Sequence, residues 1–125
     1  MLAVPERVQA LRGATTIDAD TAEQVYERVE ALLAQMFERN ALHHDDIIDI
    51  FLTATNDIHS VFPAAAARSF GLGDVPLLCA QELDIEGAAP RCIRILAHVY
   101  TETPRADLRH VYLEGAAGLR DDLPG

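Results

Sequence analysis

The chain has 125 residues, half of them hydrophobic, which suits one compact domain with a real core rather than a disordered tail. Its 20 acidic and 10 basic residues leave a net charge of −10, a field that repels nucleic-acid phosphate and anionic membrane surfaces. No stretch approaches the roughly 20 apolar residues of a spanning helix, and the first six residues lack the charged and apolar regions of a signal peptide, so the chain reads as cytoplasmic.

Residues 7–17 mix apolar, Thr and short side chains and predict a strand, with Gly13 marking either a bulge or a close approach of backbone to a neighbour. Asp20 and Thr21 can then cap a long helix. Thr21 and Gln24 have capping-box spacing, Val25, Val29, Leu32, Leu33 and Met36 recur at helical intervals, and Asn40 is its stop. The branched and aromatic run 47–53 predicts a second strand, mostly buried. Pro63 opens a short alanine-rich helix through Arg68, with proline in the first turn where its missing N–H does no harm. Gly71 and Gly73 close that helix.

A third strand is predicted over 75–83, a turn at 87–90, and a fourth strand over 92–101. Alternation puts Ile93, Ile95, Ala97 and Val99 on one face of the fourth strand and Leu96 and Tyr100 on the other. After a turn at Pro104, residues 109–114 form the fifth strand. The order predicts an α+β fold: a mixed five-stranded sheet with one long helix and one or more short ones, residues 1–125 forming a single domain with 118–125 as a flexible tail. One long helix covers only one face of such a sheet. The apolar residues on the other face therefore predict that another copy of the chain covers it.

Chemistry-bearing residues are sparse. In so acidic a chain a small anion can bind only where arginines gather, which singles out Arg12, Arg68, Arg94 and Arg120. Cys79 and Cys92 lack CxxC spacing and read as reduced thiols. His43, His44, Asp45 and Asp46 look like a metal tract, but adjacent residues rarely converge on one ion, and the two aspartates suit the first turn of a short helix. His98 and His110 read as ordinary strand residues. No Ser-His-Asp set or phosphate loop can be assembled.

Four segments stand out together: 11–16 (LRGATT), 79–82 (CAQE), 91–94 (RCIR) and 109–112 (RHVY). In this order they resemble the monofunctional chorismate mutases of the AroH class, over residues 8–120 with a short length difference at 71–74. The resemblance implies a homotrimeric pseudo α/β barrel with active sites at the subunit interfaces. It also implies conversion of chorismate to prephenate on the way to phenylalanine and tyrosine, with no cofactor and no metal. This rearrangement is concerted, so the site needs neither nucleophile nor general acid; it must hold a folded dianion and stabilise the charge that grows on the ether oxygen.

By the same resemblance, Arg94 is the cation at the ether oxygen and Glu82 accepts a hydrogen bond from the ring hydroxyl, with Cys79 beside it. Arg12 and Tyr112 meet a substrate carboxylate. The neighbouring subunit supplies Phe62, Ala64 and Arg68, and Leu119 and Arg120 belong to a tail that orders over the occupied site. Ala65 stands where relatives often carry lysine, which removes one positive charge at the mouth. The residues by themselves also allow blander roles: a salt bridge between Arg94 and Glu82 across neighbouring strands, a solvated Arg12, and an interfacial Tyr112 with a wet hydroxyl. Regular strand alternation would put Cys79 and Glu82 on opposite faces, so a shared site predicts an irregularity between them. Two other trimer functions compete with a mutase: hydrolysis of reactive imines, and binding of small carboxylates without turnover.

Overall fold

The structure, a computed structural model, describes residues 6–119. The strands are β1 (Arg7–Thr16), β2 (Ile47–Ala54), β3 (Leu77–Gln81), β4 (Cys92–Thr101) and β5 (Val111–Tyr112), and the helices are α1 (Ala22–Arg39) and α2 (Pro63–Ala67). All five strands join one sheet in the order β3-β2-β4-β1-β5. The central strand β4 runs antiparallel to both β1 and β2, whereas the edge strands β3 and β5 pair in parallel with β2 and β1. The mixed sheet is as predicted, but β3 and β5 are shorter than their sequence segments. Each edge strand has only one neighbour to pair with, and β5 keeps two paired residues.

Helix α1 begins as its sequence directs: Thr21 Oγ1 accepts the Gln24 N–H at 3.2 Å. Val25, Val29, Leu32, Leu33 and Met36 form its buried stripe against the sheet, and burying each side chain stabilises the fold by about 1.5–3 kcal/mol. Asn40 ends the helix and also fixes the entry to β5. Its amide donates to the carbonyls of Met36 and Arg109 and accepts the Arg109 N–H at 2.8 Å.

Gly13 is a close-approach position. A Cβ there would lie 2.6 Å from Met36 Sδ and 3.1 Å from Leu32 Cδ1, so glycine lets β1 lie directly against α1. The short helix α2 runs on into a wide turn, Arg68–Leu72, whose Gly71 (φ 115°) takes the left-handed conformation that breaks the helical path.

Helices cover one face of the sheet. On β4 the alternation holds as predicted, with Ile93, Ile95, Ala97 and Val99 in the core. The opposite face is open and carries Val8, Phe51, Leu78 and Tyr100, all exposed.

Two aspartates hold the connection between β2 and α2. Asp20 accepts the backbone N–H groups of His59 and Ser60 at 2.8 and 3.1 Å. Asp57 accepts the Thr55 hydroxyl at 2.5 Å and the Arg91 N–H at 2.9 Å, tying this loop to the residue that precedes β4. Partial burial alone would raise the Asp57 pKa, but these bonds outweigh it and hold the carboxyl below its ordinary 3.8. A depressed carboxyl contributes stability above its unfolded value and loses it as pH falls through its folded value. Asp57→Ala is therefore expected to cost about 1–2 kcal/mol near neutral pH. In chemical denaturation the gap from the parent protein should narrow below about pH 3.8; a gap independent of pH would contradict the assignment.

Candidate active site

The register of the strands builds a line of side chains across the open face. Thr53 of β2 lies opposite Arg94 of β4, Arg94 opposite Ala14 of β1, and Ala14 beside Tyr112 of β5. The next line joins Phe51, Leu96 and Arg12. Four neighbouring strands thus bring two arginines, a tyrosine and apolar walls to one place, although they come from distant parts of the chain. With Glu82, all of these residues except the buried Ala14 line an open cleft of about 290 Å³.

Glu82 lies one residue beyond β3, where its N–H donates to the Ala54 carbonyl at 2.9 Å. One carboxylate oxygen, Oε2, accepts the Thr53 hydroxyl. The other, Oε1, is 3.3 Å from Arg94 Nε, so the ion pair read as an alternative is present, but it reaches across β2 rather than between neighbouring strands. It is a loose pair. The N–H does not point at the carboxylate, and Nε is buried without a hydrogen bond while 40 % of the Arg94 side chain remains exposed. Arg12 is oriented from its backbone: its N–H donates to His110 Nδ1 at 3.0 Å, just before β5 begins.

The other predicted residues lie elsewhere in the single chain. Cys79 is in register with Leu52, on the helix side, and pairing stays regular through Gln81. The expected irregularity between Cys79 and Glu82 is absent, and ordinary alternation sends the two side chains to opposite faces. Cys79 instead shares a larger cavity, about 760 Å³, with Phe62, Pro63 and the loop after β2. Phe62 is 72 % exposed, and Ala64 is buried in the core. Arg68 is exposed just after α2. Leu119 is half-buried, with its N–H on the Ala116 carbonyl; Arg120 lies outside the described residues.

This arrangement has close counterparts. The family model for chorismate mutase type I matches residues 8–123. The chain belongs to that family. It is 41 % identical over 117 residues to the chorismate mutase AroH of Bacillus subtilis, covering 93 % of this chain and 92 % of that protein. The corresponding Thermus thermophilus protein is 43 % identical, with 93 % and 96 % covered. A solved chorismate mutase from Clostridium thermocellum superposes with a TM-score of 0.84 at 44 % identity, covering 86 % of this chain and 96 % of that one.

In the cleft and around it are residues whose contacts could not be read from the sequence. Thr53 looked like the last residue of a buried strand; only the pairing of β2 with β4 places its hydroxyl beside Arg94 and Glu82. Strand alternation from Phe51 was the available signal. His110 looked like an ordinary strand residue, yet its ring takes the place of a strand carbonyl for the Arg12 N–H. His98 Nδ1 meets Asp49 Oδ1 at 2.7 Å on the same open face. In the histidine-rich tract, His44 Nε2 meets Asp74 Oδ1 at 2.6 Å, a bond that raises the His44 pKa, and Asp46 accepts the His43 N–H.

Proposed function

We propose that this chorismate mutase family member converts chorismate to prephenate at the cleft formed by Arg12, Glu82, Arg94 and Tyr112. Arg12 and Tyr112 hold a carboxylate, Glu82 accepts the ring hydroxyl, and Arg94 lies against the ether oxygen. The observation that carries the reading is Arg94 itself: a buried Nε without a hydrogen bond, in a partly exposed side chain that shares its cleft with Arg12, Thr53, Glu82 and Tyr112. Such a cation is stabilised further when an anion arrives, and most when negative charge develops in the bond-breaking step.

The same reading makes the enzyme a trimer. An apolar sheet face carrying Val8, Phe51, Leu78 and Tyr100 favours a covering copy, and Phe62 and Arg68 are exposed outside the Arg94 cleft. A neighbouring copy would bring them to the open side of that cleft as an apolar wall and a second carboxylate contact.

The test is direct. Purified protein mixed with chorismate should remove its ultraviolet absorbance and yield prephenate, with turnover unaffected by chelators and nearly flat around neutral pH, because no titrating base takes part. Folded protein that binds chorismate without converting it would overturn the reading in favour of a binding module. A metal requirement or a bell-shaped pH profile would contradict the concerted route.

A further inference from the structure

We propose that Thr53 is a positioning residue that keeps Glu82 from closing onto Arg94, so that the guanidinium stays available to substrate. The inference rests on the reading of Arg94 and Glu82 as substrate-contacting groups. A glutamate one residue beyond a strand end and facing an arginine would ordinarily turn its carboxylate to make two parallel hydrogen bonds, since that fork is the strongest pairing open to both groups. The terminal torsion of glutamate is broad and offers little resistance. Here the fork has not formed.

Oε2 is engaged by the Thr53 hydroxyl, and Oε1 approaches Arg94 Nε only to 3.3 Å without alignment. The Glu82 backbone is anchored as well, by its N–H on the Ala54 carbonyl. With one oxygen held by a neutral donor on the adjacent strand, the carboxylate cannot turn both oxygens to the guanidinium. The buried Nε–H is left without a hydrogen bond. Thr53 and Arg94 face each other in the β2–β4 register, so the hydroxyl is fixed to rigid backbone rather than to a loop.

The experiment compares Thr53→Val, which keeps the shape and removes the hydroxyl, with Thr53→Ser, which keeps the hydroxyl, each in the parent and in a Glu82→Ala background. A lost hydrogen bond to a charged group predicts a fall in kcat/KM of about tenfold to a hundredfold for Thr53→Val. Thr53→Ser should keep most of the activity, and the melting temperatures should stay close to that of the parent. In the Glu82→Ala background, Thr53→Val should have no further effect, because Thr53 works only through that carboxylate.

Parent-like activity of Thr53→Val alongside an impaired Glu82→Ala would overturn the proposal. So would an equal loss from Thr53→Val in both backgrounds, or failure of serine to restore activity. If Glu82→Ala itself retains full activity, the assigned role of Glu82 falls first and this proposal falls with it; the two failures are therefore distinguishable.

Discussion

Replacing Arg94 with alanine is expected to lower turnover of chorismate by orders of magnitude while substrate binding weakens much less. Removing one preorganised donor at a site of developing charge typically removes about 2.7–4 kcal/mol of transition-state stabilisation, a hundredfold to a thousandfold in rate, and Arg94 supplies a full charge. Binding is cushioned because Arg12 and Tyr112 line the same cleft and remain. On the proposed assignment the ground-state ether oxygen carries little charge, so its contact with Arg94 would be weak until the bond begins to break, and that difference would be the source of catalysis. A neutral isostere at position 94 should behave like alanine, since charge rather than bulk is what is lost. Steady-state kcat and KM of the two variants decide the matter. Small, equal losses in both parameters would exclude an electrostatic role for Arg94 and leave it as a partner for Glu82.

Most of the fold was legible because its decisive residues act locally. Thr21 caps α1, and the stripe from Val25 to Met36 fixes which face is buried, whatever the rest of the chain does. The alternation in β4 likewise assigns Ile93 and Arg94 to opposite faces before any partner strand is known. Strand length at the sheet edges was not legible in the same way. It depends on how many backbone groups find a partner, and among the described residues β5 pairs with β1 at Val111 and Tyr112 alone. Gly13 could be read as a bulge or a close approach; only the packing of Met36 and Leu32 selects the second.

The site shows the same division. Arg12, Glu82, Arg94 and Tyr112 were singled out through their segments, and the fold brings all four to one cleft. Thr53 was not singled out, because its place beside Glu82 depends on strand register: nothing in residues 47–53 alone points to a carboxylate that follows β3. Cys79 illustrates the opposite case. The resemblance put it in one site with Glu82, but regular pairing of Leu52 with Cys79 turns the thiol toward the helix side, beside the cavity that Phe62 also lines.

That separation of Phe62 and Arg68 from the Arg94 cleft leads to the second large expected effect. If each site takes Arg94 from one subunit and Arg68 from the next, Arg94→Ala and Arg68→Ala should each be strongly impaired alone, yet recover activity when co-expressed and assembled together. In a closed ring of mixed subunits, a site is intact when its own chain keeps Arg94 and the neighbouring chain keeps Arg68. Random equal mixing satisfies each condition half the time, so about a quarter of the sites should regain full activity. Differently tagged chains, purified by both tags in succession, would enrich the hybrids and make the recovery visible against either parent. Sites built within a single chain predict another result: every subunit then carries one lesion, and the hybrid shows only the average of two impaired enzymes. An Arg68→Ala protein that keeps full activity alone would remove Arg68 from the site altogether. The hybrid measurement thus separates a shared site from a merely oligomeric protein, which a molecular-mass determination alone does not.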